Sequence, residues 1–295
     1  MRFPRRFLPH AWTAPAARRT VGRQSRHKEF DMKIVTLLEN TSSDERLTAE
    51  HGLSLYIETE KHRILFDTGQ TDAFARNAVH LGVDLRLVDM AVVSHGHYDH
   101  TGGLARFLAV NEHAPVYVHR RAFERHLAAD DREIGMAPSL AGHPRIVPTD
   151  DVLSLDDDMW LCSCNEKARP FPSYSQDLLM VRDGHPEPDD FTHEQYLCLR
   201  ERGRLVVISG CSHKGILNIV QWLRPDVLVG GFHFRSLKSD QQSRATLDFA
   251  ARHLAEFPTE YYTCHCTGLG PFEYLKQTLG DRLHYLSCGS RISLP

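Results

Sequence analysis

The sequence predicts a layered α/β fold with a functional site at the ends of its strands. The chain of 295 residues is 41% hydrophobic and 25% charged, the profile of an ordinary globular protein. Short apolar runs typical of strands alternate with segments of helical periodicity from residue 32 onward. Five of these runs lead to a histidine or an aspartate, namely Asp67, His95, His213, His233 and His265. Because strand ends converge in layered α/β folds, these side chains are expected to meet in one cleft.

The predicted elements follow one another in a regular order. Strands are expected at 32–38, 52–57, 63–66, 90–94, 115–118, 196–199, 205–208, 226–229, 261–263 and 283–287, and helices at 72–82, 103–110, 215–223, 240–256 and 272–279. Residues 127–158 read as loops with short strands. Residues 165–193 are polar and rich in proline, so we expect a long loop that serves as a lid or substrate wall.

The first 31 residues differ from the rest in charge and pattern. They carry eight Lys and Arg residues against two acids, three prolines and no apolar periodicity. A disordered tail, a transit-like segment and a misassigned start codon all fit this composition. Because Met32 opens a clean strand pattern, we expect residues 1–31 to be a basic leader and residues 32–295 to form a single domain.

Composition also limits which binding partners and which cellular compartment are expected. The formal net charge of −3 gives no general reason to expect a nucleic-acid partner. No apolar run approaches the roughly 18 residues of a membrane span, so we expect no membrane partner. An odd number of cysteines, seven, without a visible secretion signal favours a reducing cytoplasm. The composition leaves open whether the chain forms a homo-oligomer.

The densest group of ligand-type side chains lies within Ser94 to Gly103. His95, His97, Asp99 and His100 fall within six positions after the apolar run at 90–93. Imidazole and carboxylate together suit zinc, iron or manganese. The spacing favours two neighbouring ions, with His95 and His97 on one and Asp99 and His100 on the other. Paired ions can share a water whose pKa they lower to about 7, which would give a metal-bridging hydroxide.

Later strand ends offer the remaining ligands. His265, flanked by two cysteines, is the strongest candidate, and His213 follows it. Cys211 is either a metal ligand or a small buried residue. Asp67 is expected to orient a ligand imidazole without binding the metal itself. His193, His233 and His51 are further candidates for the metal or for the pocket wall.

The motif His95-Gly96-His97-Tyr98-Asp99-His100 resembles the H-x-H-x-D-H signature of the metallo-β-lactamase superfamily. Five further segments strengthen the resemblance: residues 50–54, 66–70, 210–213, 230–233 and 265–268. Together they resemble the branch of 7,8-dihydropterin-6-yl-methyl-4-(β-D-ribofuranosyl)aminobenzene-5′-phosphate synthase-like proteins, over about residues 32–290. The resemblance implies a four-layer αββα sandwich. It also implies two metals held by His95, His97, Asp99, His100, a middle histidine and His265. Where much of the superfamily places a bridging carboxylate, this chain has Cys211 or His213.

Three functions are compatible with such a site. The first is a metal-dependent hydrolase with two divalent ions, zinc by preference or else manganese or iron, acting on an ester or phosphoester-type small molecule. The second is a transferase that joins a pterin to an aminobenzene ribose phosphate, for which Tyr98, Phe232, Phe234 and His51 could stack on a flat ring. The third is a metal-binding or redox module without hydrolytic activity.

Overall fold

The computed structural model describes residues 31–237 and 240–294. Its strands are β1 Met32–Leu38, β2 Ser54–Glu58, β3 Arg63–Phe66, β4 Met90–Val92, β5 Val116–His119, β6 His126–Leu127, β7 Ile146–Thr149, β8 Val152–Ser154, β9 Met159–Cys162, β10 Leu179–Arg182, β11 His185–Pro188, β12 Tyr196–Glu201, β13 Arg204–Ile208, β14 Val227–Val229, β15 Glu260–Thr263, β16 Leu283–Tyr285 and β17 Arg291–Leu294. Its α-helices are α1 Ala73–His80, α2 Tyr98–Thr101, α3 Leu104–Val110, α4 Ile216–Leu223, α5 Gln241–Ala255 and α6 Leu269–Leu279. The predicted leader lies outside the described residues except for Asp31, and its boundary stays a prediction.

Two seven-stranded sheets form the centre of the molecule. The first has the order β17-β1-β2-β3-β4-β5-β7, and the second has the order β16-β15-β14-β13-β12-β9-β8. Within each sheet a parallel block adjoins an antiparallel block. β3, β4, β5 and β7 run parallel in the first sheet, and β13 to β16 run parallel in the second. The ends of these parallel strands carry the predicted site residues.

The alternation of side chains along the strands builds four layers. In β2 and β3, Ile57 and Phe66 face the second sheet, whereas Tyr56 and Leu65 face α1 and α3. Since successive residues of a strand point to opposite faces, one short strand serves two apolar layers. The second sheet packs its far face on α4, α5 and α6. The predicted αββα sandwich is confirmed.

One prediction about local structure was wrong, and one strand was missed. The region 165–193 is not one long loop, since β10 and β11 form a hairpin that joins β6 in a small third sheet. Pro186 and Pro188 lie in β11, the edge strand, where a missing N–H group costs no ladder hydrogen bond. The final strand β17 was not predicted, and it pairs antiparallel with β1 at the edge of the first sheet. None of the described helices is long and apolar enough to cross a bilayer.

Candidate metal centre

The four ligand-type residues of the central motif lie just past the end of β4. His95, His97, Asp99 and His100 are all buried, and the short helix α2 holds the last two. Gly96 between the first two histidines is required by close packing. A Cβ atom at this position would lie 2.3 Å from the carbonyl oxygen of Ala122. Backbone packing therefore determines where the two histidines leave the strand.

Three histidines bring their ring nitrogens together on one side of the motif. Ring nitrogens of His95, His97 and His213 lie within 4.8 Å of one another, and the Nε2 atoms of His95 and His213 are 3.2 Å apart. Burial lowers the pKa of each of the three histidines well below the usual value, and neighbouring histidines lower it further. The group is therefore a set of neutral imidazoles with lone pairs available to a cation.

A second group surrounds the carboxylate of Asp99. Its Oδ2 atom lies 3.2 Å from Nε2 of His265 and 3.7 Å from Nε2 of His100. Burial would raise the pKa of Asp99, but the adjacent His100, His265 and His51 outweigh burial and hold this pKa well below its ordinary value. Asp99 is therefore ionised and faces two imidazole nitrogens.

Cys211 lies between the two groups. Its Sγ atom is 3.2 Å from Nε2 of His100, and it shares a potential ligand set with His95 on one side and with His265 and Cys266 on the other. Burial raises the pKa of the Cys211 thiol. A divalent cation beside the sulfur would oppose this effect, because coordination favours the thiolate.

Hydrogen bonds behind the ligands decide which nitrogen each imidazole presents. Asp67 Oδ2 accepts from Nδ1 of His100 at 2.7 Å and from the Ser94 hydroxyl at 2.6 Å. Since the Ser94 proton is committed to Asp67, its oxygen accepts from Nδ1 of His95 at 2.9 Å. Nδ1 of His265 likewise donates to Oδ1 of Asn40 at 2.8 Å. The rings of His95 and His265 therefore direct an Nε2 lone pair inward. Burial lowers the pKa of His100, but the carboxylates of Asp67 and Asp99 outweigh burial and raise it to about 9, so a cation would have to displace the Nε2 proton of this ring.

This donor set fits divalent transition metals. The facing Nε2 atoms of His95 and His213 share no proton when both Nδ1 atoms are donors. Lone pairs and an ionised carboxylate at such distances repel one another unless a cation lies between them. Histidine nitrogen, carboxylate oxygen and cysteine sulfur are the ligands that zinc and iron take.

Two buried glutamates, which the sequence analysis missed, hold the backbone of the later ligands. Glu39 Oε1 accepts the backbone N–H of His265 at 2.6 Å, and Glu194 Oε1 accepts the backbone N–H of His213 at 2.7 Å. Both carboxylates are fully buried. Glu39 directly follows β1, so the strand-end pattern that identified the other site residues could have included it.

Several residues at the site adopt left-handed backbone conformations. Asp67, Ser212, His233 and His265 have φ values of 58°, 58°, 57° and 50°. Non-glycine residues rarely take this conformation, and it concentrates where a site constrains the chain. The turns after β3, β13, β14 and β15 thus hold their side chains at an energetic cost.

The remaining candidates occupy different positions. His193 lies 5.4 Å from His97 between ring centroids, in a group that His97 shares with His126 and Asp189. His233 and His51 line the cavity above the candidate metal ligands. His51 donates from Nε2 toward Asp99 (3.2 Å), because its Nδ1 accepts from Arg235 at 2.8 Å. This pattern makes His51 a wall residue of the cavity, since neither of its nitrogens is free.

Two adjoining cavities lead to the ligands. The inner cavity has a volume of about 150 Å³ and the outer one about 360 Å³. They share four lining residues, His51, Leu178, His233 and Cys266, and Arg132 and Arg235 add cationic groups. Tyr98 lines the inner cavity, but Phe232 and Phe234 are buried against α5 and α6. The expectation that these two phenylalanines could stack on a substrate ring was therefore wrong.

Comparison with known proteins agrees with this architecture. The family model of the metallo-beta-lactamase superfamily matches residues 47–217. A relative from Methanocaldococcus jannaschii named 7,8-dihydropterin-6-methyl-4-(beta-D-ribofuranosyl)-aminobenzene-5'-phosphate synthase is 27% identical, over 82% of this chain and 89% of its own. An uncharacterised protein of the same organism is 26% identical over 83% of this chain and 94% of its own.

Solved structures give the same result. A metal-dependent hydrolase of the beta-lactamase superfamily superimposes with a TM-score of 0.74 at 28% identity, over 88% of this chain and 98% of its own. The metallo-beta-lactamase fold protein YhfI from Bacillus subtilis has a TM-score of 0.56 at 13% identity, over 90% and 100% of the two chains. The family match spans more than half of the sequence, and the chain belongs to the metallo-beta-lactamase superfamily.

Proposed function

We propose that the chain is a metal-dependent hydrolase with two divalent ions, acting on an ester or phosphoester-type small molecule. The observation that carries this proposal is the pair of ligand groups joined by Cys211, which opens onto the inner cavity. The structural similarity to a protein named a metal-dependent hydrolase supports it. The seven cysteines, all among the described residues, are free thiols, which agrees with a reducing cytoplasm.

The residues divide between the two ions as the sequence spacing suggests. His95, His97 and His213 would hold one ion, and Asp99, His100 and His265 would hold the other, with Cys211 between them. When bound, the two ions would supply Lewis acidity and a water of lowered pKa. Zinc is the first choice for this donor set, and iron or manganese are the alternatives.

The protein supplies orientation, charge and exclusion of water. Asp67, Ser94 and Asn40 fix the ligand tautomers. Asp99 would orient the nucleophile as well as bind an ion. His51 presents a protonated Nε2 at the cavity wall. The guanidinium groups of Arg132 and Arg235 favour substrates that carry an anionic group.

The experiment begins with elemental analysis of protein purified without added metal, followed by a panel of phosphoesters, lactones and thioesters. Asp99→Ala should lower turnover by about 100-fold or more, because it removes a ligand and the group that orients the nucleophile. Asp158→Ala is the matched control, since this half-exposed aspartate pairs only with surface groups such as Lys61. Undiminished turnover in Asp99→Ala would contradict the mechanism.

A second candidate is the transferase reaction for which one relative is named. It would use the same ions to hold a pterin pyrophosphate, with an arylamine displacing pyrophosphate. The two adjoining cavities favour it, because they could hold two reactants side by side. Incubation with dihydropterin pyrophosphate, with and without an aminobenzoate-type acceptor, separates the two functions. Pyrophosphate release that requires the acceptor supports transfer, and a redox-active iron spectrum without turnover supports a redox module.

A further inference from the structure

A buried polar cluster behind His97 has no part in the proposed reaction. It consists of His126 at the start of β6, Asp189 directly after β11, and His193 four residues further on. All three side chains are buried. Asp189 Oδ2 lies 2.8 Å from Nδ1 of His126 and 3.3 Å from Nε2 of His193, while its Oδ1 accepts the backbone N–H of Phe191 at 2.7 Å.

These contacts assign the protons of both rings. The backbone N–H of Gly96 donates to Nδ1 of His193 at 2.9 Å, so this nitrogen carries a lone pair and Nε2 carries the proton. His126 must be protonated at Nδ1, because the facing carboxylate oxygen can only accept. The Nε2 atom of a neutral His126 then carries a lone pair, and it is buried without a hydrogen-bond partner among the residues that the structure describes.

His97 offers the group that this lone pair lacks. Its Nε2 atom is also buried and has no hydrogen-bond partner within the described part of the chain. The rings of His97 and His126 meet at 74° with centroids 5.6 Å apart. Ring nitrogens of the two residues lie within 4.8 Å. A single hydrogen bond from Nε2–H of His97 to Nε2 of His126 would satisfy both buried atoms.

We infer that His126, held by Asp189, is the positioning residue of His97. His126 accepts a hydrogen bond from Nε2–H of His97. This leaves Nδ1 of His97 as the nitrogen that faces the metal centre. The inference rests on the proposed function in one respect, namely that His97 binds an ion. Asp67 supports His100 in a similar way, since its buried carboxylate lies 2.7 Å from Nδ1 and leaves Nε2 of His100 to face the centre. For His97 the carboxylate of Asp189 acts through one additional imidazole ring, that of His126.

The same contacts argue against reading the cluster as another metal site. Both oxygens of Asp189 and both nitrogens of His193 already have partners. His126 therefore brings the one ring nitrogen of these three residues that has no partner among the described residues. A structural zinc ion needs about four ligands, so the cluster is better suited to hold a ring than an ion.

The direct test is long-range ¹H–¹⁵N NMR of the histidine rings in the zinc-loaded full chain. We expect His126 to be protonated at Nδ1, and His193 and His97 at Nε2. This readout does not depend on turnover. Protonation of His97 at Nδ1 would overturn the inference, because its Nε2 would then have no proton to donate.

Zinc affinity, measured by competition with a chelator, provides the second readout. His126→Leu should lower the affinity for one of the two ions by about 10-fold to 100-fold and leave the affinity for the other unchanged. His119→Leu removes another buried histidine that lies outside the ligand groups, and it should bind both ions as the wild type does. Asp189→Asn should cause a smaller loss of affinity for the same ion. This variant decides the question if His126→Leu does not fold.

The outcomes separate this inference from the proposed function. If no panel substrate is turned over but His126→Leu still loses affinity for one ion, the hydrolase proposal fails and the inference stands. Wild-type affinity in both His126→Leu and Asp189→Asn overturns the inference alone. A third ion that is present in the wild type and lost in His126→Leu also overturns it. A wild-type chain that binds no divalent ion overturns both.

Discussion

Glu194 offers the sharpest test of how the fold holds its ligands. One carboxylate oxygen accepts the backbone N–H of His213 at 2.7 Å, and the other accepts the backbone N–H of Lys214 at 3.1 Å and the hydroxyl of Tyr196 at 2.8 Å. The side chain is fully buried. In Glu194→Gln an NH₂ group must replace one of these oxygens and face a backbone N–H group, which leaves at least one buried donor without an acceptor.

The expected cost follows from these three bonds. One unsatisfied buried N–H costs about 2 kcal/mol, and the loss of charge from the remaining bonds costs about 0.5–1 kcal/mol each. Burial also lowers the pKa of Lys214 to about 8, an effect that Glu194 opposes. The variant loses a charge that stabilises protonated Lys214, so the pKa of Lys214 falls further. We expect Glu194→Gln to lower the free energy of unfolding by about 3–4 kcal/mol.

Equilibrium unfolding in urea, with the metal removed by chelation, measures this loss separately from metal binding. The expected change is a shift of the midpoint by about 1–2 M toward lower urea. Glu166→Gln is the matched control, because this exposed carboxylate lies 3.6 Å from Lys167 at the surface and should change stability by less than about 0.5 kcal/mol. If Glu194→Gln were as stable as the control, the assignment of Glu194 as the support of His213 would be refuted.

Three further predictions concern other supports of the site and of the fold. Asp67→Asn should weaken zinc binding by about 10-fold to 100-fold, because an amide cannot hold His100 and its neighbours as the carboxylate does; unchanged chelator competition would contradict this. Burial lowers the pKa of His119 to about 4, so the unfolded chain takes up a proton below about pH 6.5 that the folded chain does not, and stability falls with falling pH across this window. Between pH 7 and pH 5, the free energy of unfolding of His119→Leu, measured in urea, should therefore fall by about 1–2 kcal/mol less than that of the wild type. Equal losses in the two proteins would refute the lowered pKa of His119. Gly96→Ala should destabilise the chain by about 3 kcal/mol, because the new Cβ would lie 2.3 Å from the Ala122 carbonyl oxygen; a thermal midpoint within about 1 °C of the wild type would contradict this.

The local part of the site could be predicted from the sequence because neighbouring residues share one turn of backbone. His95, His97, Asp99 and His100 lie within six positions, and any fold that ends a strand before them brings their side chains close together. The alternation of apolar residues likewise predicts most strands, since buried faces recur every second residue. The αββα layers followed from resemblance, and the three apolar clusters of the structure agree with them.

The long-range part of the site was decided by tertiary packing. Glu39 reaches the backbone of His265 across 226 positions, and Asp189 meets His126 across 63. No local pattern encodes such pairs, because they depend on how two sheets and a small hairpin are placed.

The choice between His213 and His193 shows the physical reason most clearly. Both are buried histidines near a strand of the second sheet, and the sequence ranks them without separating their roles. In the structure His213 directs Nε2 to within 3.2 Å of His95, whereas the nitrogens of His193 are engaged by Gly96 and Asp189. Residue type and spacing thus determined that a cluster of candidate metal ligands follows β4. Hydrogen bonds between distant segments decided which imidazole lone pairs were left to face it.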